Sequence, residues 1–399
     1  MLVNLGRARD LMERAKLDVL IGARAENTYY LSDFGPQHAF TLETYGWTAA
    51  VLPRDEDTPA TLIVSEVDVP ALSQAPSWMP ETRMIQGFTP HVPDPARLTE
   101  AERRTHDLWQ DLRRRSGPAG RDDLMARAVA DLGLSGARVG VDDEHVLRIL
   151  RERPELSGVE LVPAQDLLRE IRRIKTPEEV ELLRRSVAVN EQAMLRAVAA
   201  TEEGMTLRDV GRRWRAEMAA LDAHGIDVTT GGLERPWNTY PDDYVLRSGD
   251  HAIFDSGGTY RRYWSDTGRI MCIGEPEARV RELHAALVEA HEAVSGLLRP
   301  GVSTDEIGAA ARAAVSGLME DGFYAAVTSM GLEYIDNPQQ GWSFELEAGM
   351  VVNFETLYFE FPWGLMQLEE TWHIEPDGAE RLSALPQELL AAGMPVAAA

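Results

Sequence analysis

Four acidic residues in the second half of the chain lie inside apolar, strand-like sequence, and this pattern constrains the fold more than any other. They occur in the stretches HAIFDSGG, RYWSDTGRI, GMVVNFETLYF and GLMQLEETWHI. A carboxylate is costly to bury unless it is paired, protonated or bound to a cation. Any one of these acids is also compatible with a strand residue that faces solvent, but four within about 115 residues favour a shared carboxylate site. Such sites suit hard divalent ions such as manganese and magnesium.

Length and composition indicate a globular chain. With 399 residues, of which 44% are hydrophobic, the chain can bury at least one large core and is long enough for two or three domains. Its formal net charge of -25 argues against nucleic acid and anionic membranes as partners, because both require clustered Lys and Arg. Neither class is therefore expected as a partner of this chain.

The cysteine content and the N-terminal segment limit the chemistry and the location. Cys272 is the single cysteine, which excludes an intramolecular disulfide and a thiolate cluster, so any metal must be held by oxygen or imidazole. No apolar run approaches the roughly 20 residues that span a bilayer. Charges interrupt the stretch MLVNLGRARDLMERAKLDVLIG where a signal peptide needs an apolar core. We therefore expect a cytoplasmic protein.

The hydrophobic pattern divides the chain near residue 165. Residues 1–165 combine helical segments with short strands such as LDVLIGA and TPATLIVSEV, which predicts a layered α/β domain. In residues 166–399 a long helix is expected early, because Thr176 is a good N-cap, Pro177 suits the first helical position and Glu179 completes a capping box. Short strands and glycine-rich turns follow residue 225, with two helical intervals, and predict an α+β domain.

The spacing of the acids resembles that of a known family. Asp255 and Asp266 fit the pattern D-x-G-x5-Y-x-S-D, and the acid of GMVVNFE is followed fourteen residues later by the acid of QLEET. In this respect the chain resembles the creatinase, aminopeptidase P and prolidase family, and LDVLIGARAENTYYLSDF and IRRIKTPEEVELLRRS resemble the openings of its two domains. The resemblance implies an α/β N-terminal domain, an α+β catalytic domain with the pita-bread fold, and a homodimer.

The same resemblance implies a metal site. Metallopeptidase members of the family hold two metal ions with two Asp, one His and two Glu. The acidic ligands fall on Asp255, Asp266, Glu355 and Glu369, and Glu355 would also act as a proton shuttle. These acids are expected to hold one or two divalent ions of manganese, cobalt, zinc or iron, which activate the attacking water. Water, Thr328 and substrate are the candidates to complete the site.

Three histidines that the family uses are replaced in this sequence. The ligand histidine falls on Thr328 in AAVTSMGLEYIDNP, a later histidine falls near Ile335, and the substrate-orienting histidine falls near Asn238 in RPWNTYPDDY. Such imidazoles position a metal ion or stabilise a developing oxyanion. Their loss argues against an ordinary proline peptidase, and it leaves Thr328 and Asn238 as candidate catalytic residues.

For two side chains that are close to the acids in sequence, the pattern is compatible with two roles each. His373 follows Glu369 by four residues and shares its strand parity. It either reaches the site as a catalytic residue or is a strand histidine at a domain surface. Arg269, three residues after Asp266, either pairs with an acid or contacts the substrate.

Two further groups are candidates for substrate binding. Arg235, Trp237 and Tyr240 in GLERPWNTY suit a small carboxylate or a cation. The resemblance also implies that the N-terminal domain of the other subunit closes the active site. In the loop FGPQHAFTLETYGW the candidate contacts are His38, Tyr45 and Trp47, which otherwise pack against their own domain.

These features favour an enzyme that hydrolyses a C–N bond in a small amino-acid-like or N-substituted molecule with the help of a metal ion. Two alternatives stay open. The same fold supports lyase chemistry, in which a base removes a proton beside a carboxylate and a C–S or C–N bond breaks without water. It also occurs as a peptide- or protein-binding domain without catalysis, although such a module has no reason to retain four acids.

Overall fold

The chain divides into two compact units, Met1–Arg172 and Arg173–Ala399. The computed structural model describes residues 1–36, 40, 47–87, 90–231, 243–319, 321–337 and 343–394. The boundary expected at residue 165 coincides with the first residue of a helix, Gln165–Arg172, which belongs to the first unit. Among the described residues, no helix has both the length and the apolar character needed to cross a membrane.

A mixed six-stranded sheet forms the centre of the first unit. Its strands are β1 (Val19–Gly22), β2 (Ala49–Pro53), β3 (Thr61–Ser65), β4 (Glu81–Ile85), β5 (Arg138–Val141) and β6 (Glu160–Pro163). They are arranged in the order β4-β3-β2-β1-β5-β6, and β1 runs parallel to β5 but antiparallel to β2. Every residue of β1, β2 and β3 is buried, as expected for short apolar strands in the middle of a covered sheet.

Helices cover this sheet and complete the α/β domain predicted from the sequence. Val19 and Ile21 of β1 pack in one core with Met125 and Leu147 from two of the helices. The helices are α1 (Leu5–Arg14), α2 (Ala25–Ser32), α3 (Val69–Gln74), α4 (Glu100–Ser116), α5 (Arg121–Ala130), α6 (Glu144–Arg151) and α7 (Gln165–Arg172), with short 3-10 helices at Glu66–Asp68, Pro95–Arg97 and Pro154–Leu156.

In the described part of the second unit, the strands form two four-stranded sheets. The strands are β7 (His224–Gly231), β8 (His251–Tyr260), β9 (Tyr263–Cys272), β10 (Phe323–Ser329), β11 (Val351–Glu360), β12 (Gly364–Glu375), β13 (Gly378–Arg381) and β14 (Leu390–Ala391). One sheet has the order β10-β11-β12-β13 and the other has the order β14-β9-β8-β7. Strands β9 and β12 contact each other where the two sheets meet.

The helices of the second unit begin where the capping signals predict. Thr176 accepts a hydrogen bond from the backbone N–H of Glu179, Pro177 occupies the first turn, and the capping box is complete. A second capping box at Thr206 starts the next helix. The helices are α8 (Pro177–Ala199), α9 (Leu207–Ala220), α10 (Ala278–Ser295) and α11 (Thr304–Ala314).

Alternation along the strands separates apolar faces from acidic faces. Phe254 lies in a core with residues of α8 and α9, so the next residue, Asp255, points to the other side of its sheet. Phe354 and Leu368 lie in a second core with residues of α10 and α11, beside Glu355 and Glu369 in sequence. The helices thus cover the apolar faces, and the acids are left on the faces that these helices do not cover.

Arg269 joins the two sheets beside the acids. Its guanidinium is fully buried, donates to the Glu369 carbonyl at 2.7 Å, and forms an ion pair with the fully buried Glu370 at 3.2 Å. Burial alone would raise the pKa of Glu370, but the nearby imidazole of His291, whose Nδ1 lies 3.8 Å from Oε2, and the charge of Arg269 hold it below its usual range. Of the two roles that the sequence left open for Arg269, the structure shows the ion pair.

Candidate metal centre

The hairpin of β8 and β9 places each aspartate opposite a glycine. Asp255 pairs with Gly268 and Asp266 pairs with Gly257, so all four residues lie on one face of the hairpin. A Cβ atom on Gly268 would lie 2.7 Å from the side chain of Gln367, and one on Gly257 would lie 3.3 Å from a tyrosine ring. The two glycines therefore leave room beside the aspartates for side chains from other segments.

Strands β10, β11 and β12 bring the glutamates and a threonine onto one face. Glu355 and Glu369 lie directly opposite each other. The next row on the same face consists of Thr328, Asn353 and Thr371. Thr328 corresponds, by the family resemblance, to a histidine that binds metal, and it therefore lies one row away from the glutamates.

Three of the four acids form a tight group. One carboxylate oxygen from each of Asp255, Asp266 and Glu369 lies within 4.8 Å of the other two. Asp266 and Glu369 are buried and Asp255 is partly buried. An all-oxygen set of carboxylates at this spacing matches the ligands that hard divalent cations prefer.

Burial and mutual repulsion oppose ionisation of these acids in the absence of a cation. Burial, followed by the charge of Asp255, raises the pKa of Asp266 well above its usual range. Burial, followed by the charge of Asp266, does the same for Glu369. Burial and the charge of Asp255 raise the pKa of Glu355 to about 7. Like charges held this close are stabilised by a cation between them.

Amide side chains hold Glu369 in place. Asn353 donates to its Oε1 at 2.6 Å and Gln367 donates to its Oε2 at 3.3 Å. Thr371 in turn donates to the amide oxygen of Asn353 at 2.9 Å. The amide oxygen of Gln367 is buried without a hydrogen-bond partner, which leaves a spare acceptor beside the acids. Both this acceptor and the clustered carboxylates fit a bound divalent ion.

Tyr334 contacts the acids, and the sequence did not predict it. Its hydroxyl donates a hydrogen bond to Oδ2 of Asp266. Burial and the charge of Asp266 raise the pKa of the phenol, so it remains a protonated donor. The only sequence signal for this residue is its place in TSMGLEYIDNP, one residue before Ile335, where the resemblance places a missing histidine.

His373 lies apart from the acidic group. It occupies the same strand face as Glu369, as its parity predicts, and pairs with Val351 on β11. Its ring nitrogen lies within 4.8 Å of carboxylate oxygens of Glu375 and Glu380, which form a separate group. The structure therefore does not place His373 among the carboxylates of the candidate metal centre.

The remaining candidates lie in the first unit or outside the described residues. Trp47 belongs to the first unit, where it lines a cavity of about 370 Å³ together with Arg121 and His145. Its predicted contact with substrate stays a prediction. The other substrate-binding candidates and one catalytic candidate lie outside the described residues: His38, Tyr45, Arg235, Trp237, Asn238 and Tyr240.

Family models match both units of the chain. The model of metallopeptidase family M24 matches residues 181–376, and that of the creatinase/prolidase N-terminal domain matches residues 5–174. The chain belongs to metallopeptidase family M24. Its resemblance to creatinase, aminopeptidase P and prolidase is thereby confirmed, as is the predicted fold class, and the chain is a metal-dependent C–N hydrolase of this type.

Individual relatives agree with the family assignment. A probable dipeptidase PepE of Mycobacterium tuberculosis is 31% identical over 281 residues, which cover 67% of this chain and 74% of that protein. An Xaa-Pro dipeptidase of Pyrococcus furiosus is 26% identical over 261 residues, which cover 63% of this chain and 75% of that protein. The crystal structure of an X-Pro aminopeptidase from Thermotoga maritima has the same fold, with a TM-score of 0.75 and 18% identity over 95% of this chain and 99% of that chain.

Proposed function

We propose that the C–N bond hydrolysed by this M24 family member lies in a small amino-acid-like substrate, such as a dipeptide or an N-substituted amino acid, and that the enzyme is not an ordinary proline peptidase. The observation that carries this proposal is the group of carboxylates on adjoining strands with Thr328, not an imidazole, in the neighbouring row. The relatives that are named dipeptidase or Xaa-Pro dipeptidase support a substrate of dipeptide size.

The described side chains suit this reaction. Asp255, Asp266 and Glu369 would hold a divalent ion, which when bound supplies Lewis-acid activation of a water molecule. Glu355 lies opposite Glu369, where a carboxylate accepts a proton from the attacking water and returns it to the leaving nitrogen. The water oxygen joins the acyl carbon, the C–N bond breaks, and the nitrogen leaves with the proton.

We propose one ion of manganese, cobalt, zinc or iron per chain. Among the described residues, one group of three carboxylates has oxygens within 4.8 Å of one another, which supports this number. A second ion would lack the imidazole that the family resemblance places at Thr328, and a threonine hydroxyl is a weaker ligand than an imidazole for these metals.

We propose further that the enzyme is a cytoplasmic homodimer, as the family resemblance implies. In that assembly Trp47 would contribute to substrate binding, together with His38 and Tyr45 of the same stretch of sequence. Light scattering of the purified chain at micromolar concentration measures the assembly, and a monomer would contradict it.

The reaction is tested with full-length protein loaded with manganese and a panel of small amides, analysed by mass spectrometry. The panel contains dipeptides with and without C-terminal proline and N-acylated and N-methylated amino acids. We expect cleavage of small amides other than Xaa-Pro dipeptides and at least a 100-fold loss in Glu355→Gln. The control Glu375→Gln changes an exposed glutamate outside the metal centre and should keep full activity.

Three outcomes would contradict the proposal. Preferred cleavage of Xaa-Pro dipeptides would identify an ordinary proline peptidase. An alkene among the products would identify an elimination. Binding of the panel without turnover would identify a binding module.

A further inference from the structure

We propose that Tyr334 is a positioning residue of the metal centre, because its phenol fixes the orientation of the Asp266 carboxylate. The inference rests on the proposed function, in which Asp266 is a metal ligand. A tyrosine would thus orient a metal ligand at a site that lacks the histidines expected from the family. The observation behind the proposal is the hydrogen bond that the Tyr334 hydroxyl donates to Oδ2 of Asp266.

The ring of Tyr334 is held beside Asp266 by direct contacts. It packs edge-on against Trp264, with ring centroids 5.1 Å apart and planes at 68°. Trp264 precedes Asp266 by two residues on β9 and therefore lies on the same face. The ring also lies over Gly257, the partner of Asp266 across the hairpin, where a Cβ atom would be 3.3 Å from the tyrosine ring. Glycine at this position admits the ring.

The segment that carries the tyrosine is fixed to the strands at both ends. The backbone N–H of Trp264 donates to the Gly331 carbonyl at 2.9 Å, and that of Asp336 donates to the Ser329 carbonyl at 2.7 Å. The buried carboxylate of Asp336 lies 3.6 Å from the buried ammonium of Lys175. These contacts hold the backbone on either side of the tyrosine against the second unit.

The contact leaves Asp266 free to bind a cation. Its Oδ1 accepts the backbone N–H of Thr267 at 3.1 Å, while Oδ2 accepts the phenol. An ionised carboxylate offers about four lone-pair positions, so two remain. Two donors on opposite oxygens set the plane of the carboxylate, as Asn353 and Gln367 do for Glu369. Such outer hydrogen bonds typically change metal affinity about 10–100-fold when they are removed.

Packing in the core does not explain why the Tyr334 hydroxyl contacts Asp266, because the residue is exposed. Tyr334 is 38% exposed and Ile335, the position that the resemblance assigns to a histidine, is equally exposed at 38%. Substitutions at such exposed positions usually change stability little, and the lost hydrogen bond to the buried carboxylate costs about 1–3 kcal/mol. Replacing the phenol by a phenyl ring therefore tests the hydroxyl and leaves the fold in place.

The test is calorimetric titration of manganese into chelator-treated full-length protein. We expect Tyr334→Phe to weaken the manganese affinity at least tenfold, while its melting temperature falls by no more than that of the control. The matched control is Tyr358→Phe, which removes a phenol–carboxylate hydrogen bond of 2.8 Å to Glu360 at the far end of β11. The control should bind manganese as the wild type does.

A second variant tests the same contact through the glycine. Gly257→Ala should displace the ring and weaken manganese binding in the wild-type background, but much less in the Tyr334→Phe background, because the hydroxyl is already absent there. Equal manganese affinity in Tyr334→Phe and wild type would overturn the positioning role, and so would a wild type that binds no divalent ion. If the affinities change as expected but no small amide is cleaved, only the proposed function fails.

Discussion

Removing one charge from the carboxylate group should stabilise the metal-free protein at alkaline pH. The perturbation is Glu355→Gln. In the folded, metal-free chain the pKa of Glu355 is raised from 4.5 to about 7 by burial and by the charge of Asp255. Between these values the folded state binds more protons than the unfolded state, so the free energy of unfolding falls as the pH rises. Glutamine does not titrate and should escape this loss.

The size of the effect follows from the shift. A rise from 4.5 to about 7, at about 1.4 kcal/mol for each pH unit, gives a total loss of about 3 kcal/mol. About 2 kcal/mol of it falls between about pH 5.5 and pH 8.5, since part of the proton difference lies below that window. The window starts above the isoelectric point of about 4.8, where the chain carries net charge and stays dispersed.

The assay is urea denaturation of chelator-treated, full-length protein at both pH values. We expect the unfolding free energy of wild type to fall by about 2 kcal/mol more than that of Glu355→Gln. Glu289→Gln, which removes a charge from an exposed helix position, should follow the wild type. Saturating manganese should reverse most of the loss in wild type, because a bound cation replaces the protons. Parallel pH dependence of wild type and Glu355→Gln would refute the reasoning.

Two further perturbations address the surroundings of the site. Arg269→Met leaves the buried Glu370 carboxylate with one charged partner fewer, and it should lower the free energy of unfolding in urea by about 3–5 kcal/mol. The control Arg279→Met breaks a partly exposed ion pair with Glu360 and should lower it by about 1 kcal/mol or less. Equal losses in the two variants would contradict the role of burial. Thr328→His should raise the number of manganese ions bound per chain from one towards two, as measured by mass spectrometry after dialysis. An unchanged metal content would show that Thr328 does not occupy the position of the lost histidine ligand.

Local signals account for the parts of the fold that the sequence predicted well. The helix α8 starts at Thr176 and Pro177 because the cap and the capping box are made by residues within one turn. The acidic faces of the strands follow from the period of two in an extended chain. The four acids could therefore be assigned to faces of a sheet without knowledge of the strand order.

The features of the site that the sequence did not predict depend on distances between segments. Strand parity predicts the face of His373 but not its distance from Glu369, and four residues along an extended strand span roughly 13 Å. The role of Tyr334 depends on a loop fixed by Lys175, a residue more than 150 positions earlier in the chain. Nothing local distinguishes Tyr334 from Ile335 as the side chain that faces the acids. Contacts between residues distant in sequence determine which of the two side chains faces the acids.

The pairing of each aspartate with the other strand's glycine has a consequence for how this centre can diverge. An antiparallel hairpin has local two-fold symmetry, and the triplets Asp255–Ser256–Gly257 and Asp266–Thr267–Gly268 are exchanged by it. The hairpin thus supplies two equivalent half-sites. Tyr334 lies over one glycine and Gln367 lies over the other, so the difference between the halves comes from outside the hairpin. A substitution of Tyr334 or Gln367 can therefore alter one half-site while the symmetric hairpin of β8 and β9 stays unchanged.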